Sequence, residues 1–385
     1  MHIDRIDPPD DELQRRLEDA LLGLLAIPSV TGHEGALADH LWRWAEQNRL
    51  WPEGHLRRFG NAMVFGQIDP ARPNVALVGH LDTVPPTGGA FALPEIAADG
   101  GGRRLVGLGA SDMKGGLAVM QVLLGDLAGH RPPIAPMMVL YDKEEGPFAD
   151  NGLEPLLAAC PELASLDLAV VMEPTSNRVE LGCMGGLQAR VLFQGKAAHS
   201  ARPWQGINAI HRAGPLLCAL LERAPEDVSV EGLTFRNVVS ATLAQGGRAR
   251  NVVPEAFEVN LNFRFAPQAG ALEAAQSELE RLAAGHPFVI DDTSPAGPVP
   301  QNNPILAHWR GLCELDVGPK QAWTDVARLA ARGVDAVNFG PGDGAQAHQA
   351  GEWIDSDALV TSYELLQRLL ISPYAVNGRA APPTA

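Results

Sequence analysis

Val75-Ala-Leu-Val-Gly-His80-Leu-Asp82-Thr-Val-Pro-Pro86 is the stretch on which the reading of this chain turns. Val75 to Val78 are four apolar residues with no polar interruption, the pattern of a strand covered on both faces. A histidine and an aspartate follow two positions apart. On extended backbone, residues i and i+2 face the same side. His80 and Asp82 are therefore expected together at the carboxyl edge of a strand, where open α/β sheets bind their ligands. Taken alone, the same residues fit a satisfied core histidine and an aspartate that starts the turn before Pro85-Pro86.

Composition narrows the setting of this strand. The chain has 385 residues, long for one core, so two domains are expected. Apolar residues make up 46% and charged residues 20%, ordinary for a globular protein. A formal net charge of -16 leaves no broad basic face, which argues against nucleic acid and against an anionic membrane surface. Cys160, Cys183, Cys218 and Cys313 are isolated in sequence, with no C-x-x-C pair. That pattern excludes a zinc ribbon and fits reduced thiols in the cytoplasm. The N-terminal segment is rich in Asp and Pro, unlike a signal peptide, and no apolar run is long enough to span a bilayer.

Helices are expected from Asp10-Asp11 through Leu24 and over 36–47, on apolar residues at helical spacing. Strands are expected at 61–68, 75–78, 136–141 and 168–172, with helices at 117–127 and 153–159. The strand at 75–78 leads into His80, that at 136–141 into Glu144-Glu145, and that at 168–172 into Glu173; Asp112 stands just before a helix. One carboxylate at a strand end is unremarkable, but a single sheet would gather these into one place. From Gly185 the rhythm changes to strand 187–193, helix 208–221, strands 234–243 and 257–265, helix 271–283 and strand 288–290. This is the order of a compact α+β unit. Small residues and prolines at 182–186 and 294–300 flank it as hinges would. After Pro304 the α/β rhythm resumes with helices to Leu315 and over 325–332, strand 336–339, a Gly-rich loop to His348 and a last helix at 356–370. The tail after Pro373 is expected to be disordered.

The acidic and imidazole residues so placed form a set: His80, Asp112, Glu145, Glu173 and His348. Two imidazoles and three carboxylates suit zinc or similar divalent ions. One ion needs three or four ligands, so five side chains imply two ions with one carboxylate between them. Two ions about 3.5–4 Å apart can polarise a carbonyl and ionise a shared water. Asp82 then orients the His80 ring or a neighbouring base. In the Glu144-Glu145 pair, one carboxylate can bind metal while the other faces the water as general base. Each feature also has a plainer reading: a solvated acidic loop for the pair, a helix cap for Asp112, a loop histidine for His348.

Several motifs carry a resemblance: Gly79-His-Leu-Asp-Thr-Val-Pro85, the G-x-G-x-x-D-M-K-x-G run from Gly107 to Gly116, and the Glu144-Glu145 pair after a strand. Met172-Glu-Pro174 and Phe339-Gly-Pro-Gly-Asp343 with His348-x-x-x-Glu352 complete the set. Together they resemble the dinuclear zinc deacylases and exopeptidases, a family that includes desuccinylases, acetylornithine deacetylases and glutamate carboxypeptidases. The resemblance covers nearly the whole chain. It implies an α/β zinc-exopeptidase-like catalytic domain over 1–184 and 296–385, with an α+β dimerisation or lid domain inserted over 185–295. It implies two zinc ions per chain, replaceable by cobalt. His80 and Glu173 hold one ion, Glu145 and His348 the other, and Asp112 bridges. Glu144 is the base, Asp82 supports it, and the Asp112-Met113 peptide is cis.

In the inserted unit, Ala198-His199-Ser-Ala-Arg202-Pro, Asn251-Val-Val-Pro254 and Asn262-Phe-Arg264-Phe-Ala-Pro267 resemble the family's substrate-contacting stretches. By that resemblance His199 reaches the site of a partner subunit in a homodimer and stabilises the oxyanion. Arg202, Asn251, Arg264 and Thr324 contact substrate, the arginines by pairing with a succinyl carboxylate. Ala322-Trp-Thr-Asp-Val-Ala-Arg328 and the loop after Phe339 are most like the desuccinylase branch. The activity implied is release of succinate from N-succinyl-LL-2,6-diaminopimelate, with acetylornithine deacetylation or a glutamate-carboxypeptidase-like reaction as the rival. A non-catalytic binding protein on the same scaffold would have lost a ligand or the base, and none is lost. Two departures concern substrate contacts. Cys183-Met184 stands where many desuccinylases carry an arginine pair, and Gly344 stands where an asparagine is common.

Overall fold

The strand anticipated from the opening stretch forms as Asn74–His80, with every residue buried. The computed structural model describes residues 10–48, 51–52, 54–89, 91–99 and 102–374. The strand lies inside an eight-stranded sheet of order Leu56–Phe59, Ala62–Phe65, Ala135–Tyr141, Asn74–His80, Leu168–Val171, Ala336–Asn338, Val179–Leu181, Val317–Pro319. The four strands from Ala135–Tyr141 to Ala336–Asn338 run parallel. Leu56–Phe59, Ala62–Phe65 and Val179–Leu181 join antiparallel.

Parallel neighbours require crossovers. Helix Gly115–Asp126 lies between the strands Asn74–His80 and Ala135–Tyr141 in sequence, and Leu153–Ala159 between Ala135–Tyr141 and Leu168–Val171. Gly115–Asp126 is buried around most of its circumference, packed against Asn74–His80 and against the terminal helices Asp10–Leu25 and Ser356–Ile371. Each fully covered Val or Leu here contributes about 1.5–3 kcal/mol over leaving it in water. Register then aligns the strand ends: His80 lies opposite Tyr141, and Val171 opposite both Val78 and Asn338. His80 ends, and Glu144-Glu145, Glu173 and His348 follow, strands that reach this edge, whereas Asp112 follows strand Gly102–Val106 of a separate three-stranded sheet and precedes helix Gly115–Asp126.

The chain divides into two compact units. One comprises Met1–Leu181, Pro300–Gly318 and Arg328–Ala385; the other comprises Gly182–Val299 and Pro319–Ala327. The division falls at Gly182 and Val299 instead of 185 and 295, and a short later segment counts with the second unit. That unit holds an antiparallel sheet of order Glu226–Val230, Leu233–Gly246, Ala256–Phe265, Gly185–Gln194, Phe288–Ser294. Leu187, Ala189, Val191 and Phe193 are buried and alternate with the less buried Gln188, Arg190 and Leu192, as a half-buried strand requires. They form one core with Val259, Leu261 and Phe263 and with Leu279 and Leu282 of helix Ala271–Ala283.

The helix expected over 208–221 is two, Ala209–Arg212 and Gly214–Leu221, because Pro215 offers no N–H to continue the first. Glu226–Val230 and the short strands Val179–Leu181, Val317–Pro319 and Trp353–Asp355 have no counterpart in the expected elements. The tail from residue 375 lies outside the described residues. Among the described residues, no helix is long and apolar enough to cross a membrane.

Candidate metal centre

His80 is the last residue of its strand and is buried. Its Nδ1 lies 3.0 Å from the backbone carbonyl oxygen of Asp82, and its Nε2 lies 3.1 Å from Asp112 Oδ1 and 3.9 Å from Glu173 Oε1. A proton on Nδ1 donated to that carbonyl leaves the Nε2 lone pair facing the carboxylates. His348, on the loop after Ala336–Asn338, sets its Nε2 2.9 Å from Glu145 Oε2 and 3.9 Å from Asp112 Oδ2. The two oxygens of Asp112 thus face different histidines.

Ligand-capable atoms of His80, Asp112 and Glu173 lie within 4.8 Å of one another, as do those of Asp112, Glu145 and His348, and those of His80, Glu144 and Glu145. Asp112 belongs to both of the first two groups. Two mixed imidazole–carboxylate groups that share one aspartate fit a pair of divalent ions. Burial opposes charge on His80, but Asp112, Asp82 and Glu144 outweigh it and hold its pKa well above the usual imidazole value. The hydrogen bond to Glu145 pushes His348 up to about 9. A field that draws protons onto both rings equally favours a metal cation in their place.

The loops are held by groups behind them. Asp82 Oδ1 accepts the Glu144 N–H at 2.9 Å, and Oδ2 accepts the Glu145 N–H at 3.0 Å and the Thr31 hydroxyl at 3.0 Å. Asp82 therefore grips the backbone of the acidic pair more directly than it orients His80, whose Nδ1 stands 3.6 Å from its carboxylate. Glu173 follows Met172, whose main chain is flanked by two glycines. A Cβ on Gly116 would meet Met172 O at 2.6 Å, and one on Gly340 would meet the carbonyl oxygens of Met172 and Glu173, both at 2.6 Å. The Asp112-Met113 peptide is cis, as the resemblance implies.

The residues named in the second unit occupy separate elements. Ala198–His199 pairs with Val252–Val253 in a two-stranded ribbon, and Ser200 N–H donates to the Asn251 carbonyl at 2.9 Å, so His199 and Asn251 are neighbours. His199 Nδ1 accepts the Ala201 N–H at 3.1 Å, which leaves the proton on Nε2. Arg202 is exposed on the following turn. Arg264 is the penultimate residue of the Ala256–Phe265 strand, half-buried and with no ion-pair partner among the described residues; burial lowers its pKa. Thr324 is buried, its carbonyl oxygen 3.5 Å from the Cys183 thiol and its hydroxyl without a hydrogen-bond partner among the described residues.

Sequence reasoning passed over several supporting groups. Thr31 and buried Glu34 come from the loop that ends the first helix; Glu34 accepts the Gly32 N–H at 2.7 Å, and its pKa is raised by burial. Buried Lys114 donates to the carbonyls of Leu24 at 3.2 Å and Ile27 at 2.8 Å, and burial brings its pKa down to about 8. Glu352, present only as the last letter of a motif, is buried beneath the Asp112 loop, and burial pushes its pKa up to about 7. The only sequence signal for Glu34, Lys114 and Glu352 was a charged residue beside glycines; Thr31 gave none.

An open mixed sheet with paired histidine–carboxylate groups at the carboxyl ends of its parallel central strands defines a metal-hydrolase class of site. Residues 76–372 match the model of peptidase family M20/M25/M40, and the chain belongs to that family. It is 37% identical over 352 residues to the DapE protein of Mycobacterium tuberculosis, covering 90% of this chain and 96% of that one. It is 33% identical over 356 residues to the succinyl-diaminopimelate desuccinylase of Corynebacterium glutamicum, covering 90% and 94%. Among solved structures it resembles the YXEP protein of Bacillus subtilis, a dinuclear metal-binding peptidase of the M20 family, with a TM-score of 0.65, 16% identity and coverage of 94% and 98%.

Proposed function

We propose that this chain is a dinuclear zinc amide hydrolase that removes the succinyl group from N-succinyl-LL-2,6-diaminopimelate. The observation that carries the reading is Asp112, whose carboxylate stands between two histidine–carboxylate groups. The relatives from Mycobacterium tuberculosis and Corynebacterium glutamicum both carry the succinyl-diaminopimelate desuccinylase name, which supports this substrate. His80 with Glu173, and Glu145 with His348, would hold one ion each, and Asp112 both. Divalent ions bound by these residues would supply Lewis acidity toward an amide carbonyl and lower the pKa of a bound water. Glu144 shares a group with His80 and Glu145, so its carboxylate is placed to take the proton of the attacking water and return it to the leaving amine. Asp82 keeps Glu144 in register by holding the backbone beneath it.

His199 supplies a hydrogen-bond donor. With Nδ1 occupied by the Ala201 N–H, its Nε2–H is a donor suited to a developing oxyanion, worth about 2.7–4 kcal/mol of barrier in comparable sites. Arg264, half-buried and without an ion pair among the described residues, suits the succinyl carboxylate, with Arg202, Asn251 and Thr324 as further substrate contacts. We assign a homodimer built on the second unit, with His199 serving the partner's site. Exposed Ile210, Leu217 and Leu221 on the helices Ala209–Arg212 and Gly214–Leu221 support that assembly. Four unpaired cysteines agree with a cytoplasmic enzyme.

A turnover panel tests the reading. The succinylated diaminopimelate should be cleaved well ahead of acetylornithine and glutamyl peptides; preference for either rival would overturn the substrate. Glu144→Ala should lose at least 100-fold in kcat, the contribution expected of a general base, while retaining its metal. Undiminished turnover in that variant removes Glu144 as the base.

A further inference from the structure

None of the catalytic roles above uses Glu352, although it lies only four residues beyond His348. Its side chain is 2% exposed. Oε1 accepts the N–H of Ser111 at 2.7 Å and of Asp112 at 2.9 Å, and Oε2 accepts the N–H of Gly109 at 2.8 Å. The grip continues along the backbone. The Glu352 carbonyl accepts the Gly107 N–H at 2.9 Å, and the Trp353 carbonyl accepts the Ser111 hydroxyl at 2.8 Å. Strand Trp353–Asp355 then pairs with Gly102–Val106 just before the loop.

A buried carboxylate is costly unless its lone pairs are taken, and here three main-chain donors take them. A glutamine could not replace it, since an amide has one acceptor oxygen and would turn its NH2 toward at least one of those N–H groups. Backbone of irregular geometry needs such a clamp: Asp112 has φ -121° and ψ 93°, and Gly109 has φ 84°. The Asp112 side chain must meanwhile present one oxygen to each histidine, which a loop free to rotate would not do.

We propose that Glu352 is a positioning residue of the metal centre, its carboxylate fixing loop 109–112 so that Asp112 faces both histidine–carboxylate groups at once. The inference rests on the two-ion reading, and the experiment separates the two. Metal-free parent and Glu352→Gln proteins are titrated with Zn2+ against a chromophoric chelator, and urea unfolding of the metal-free forms is followed in parallel. The parent should take two ions. Glu352→Gln should bind them about 10- to 100-fold more weakly, the usual effect of losing a group behind a ligand, on protein that is still folded. Glu352→Asp, with the charge kept and the reach shortened, should fall between. A folded Glu352→Gln with parental affinity for both ions overturns the proposal even if its urea midpoint drops. Should Glu352→Gln fail to fold, Glu352→Asp is judged by the same titration, and parental affinity there overturns it. A parent that takes fewer than two ions overturns the two-ion reading instead.

Discussion

At the residue scale, a few side chains do two jobs through their two oxygens. Asp112 divides its carboxylate between histidines, and Asp82 divides its own between the N–H groups of Glu144 and Glu145. Asp82 is a sharp test because it needs neither metal nor substrate contact to matter. Asp82→Asn keeps the shape but sets an NH2 against one of those N–H groups or against the Thr31 hydroxyl. Leaving one buried donor unmet costs about 1–3 kcal/mol. The acidic pair would then be held from one side only. We expect kcat to fall about 10- to 100-fold, as for other groups behind a ligand, with KM changed far less. Stopped-flow or steady-state turnover with a metal assay on the same sample checks it; a loss confined to KM would show that Asp82 touches substrate instead.

At the scale of elements, the site depends on how closely backbones approach. Helix Gly115–Asp126 and the loop after Ala336–Asn338 press on the Met172-Glu173 main chain from Gly116 and Gly340. Gly340→Ala places a methyl 2.6 Å from two carbonyl oxygens, which must move. Overpacking of this kind costs about 1–3 kcal/mol, read as a lower urea midpoint at constant slope. Because the displaced residue is Glu173, zinc affinity should drop as well. Gly125→Ala, on the same helix with open space at its Cβ, should leave both unchanged. What the sequence made legible follows the same division. Val75 to Val78 announced a buried strand, and His80, Glu144-Glu145 and Glu173 announced its edge, because strand periodicity and strand ends are local. Thr31, Lys114 and Glu352 stayed hidden, because their partners lie far along the chain: Glu352 grips residues some 240 positions earlier. Asp82 was legible as a support but not as a clamp on the pair 62 residues on. The single helix read over 208–221 missed a break that Pro215 dictates.

At the scale of the whole molecule, the second unit leaves surface that one chain does not cover. Glu226–Val230 pairs with residues 233–237 of the long strand Leu233–Gly246, so residues 238–246 have, among the described residues, a strand neighbour on one side alone, Ala256–Phe265. An open strand edge is a template for another strand unless it is short, charged or covered. This one carries Leu243, 73% exposed, and helix Gly214–Leu221, which packs against the same strand, ends in Leu221 at 86%. Leu217, one turn before Leu221, and Ile210 on the preceding short helix are exposed as well. Apolar groups gathered beside an open edge suit a second copy of the chain, since a twofold axis pairs like edge with like edge. Replacing Leu221 and Leu243 with glutamate sets charge onto both halves of that surface while disturbing no buried residue. Sedimentation velocity should show the parent as a dimer and the double variant as a monomer with unchanged urea midpoint per chain. If His199 serves the partner's site, turnover should fall together with the dimer and recover at high protein concentration. A variant that remains dimeric would move the interface elsewhere, and a monomeric parent with full activity would end the sharing of His199 between subunits.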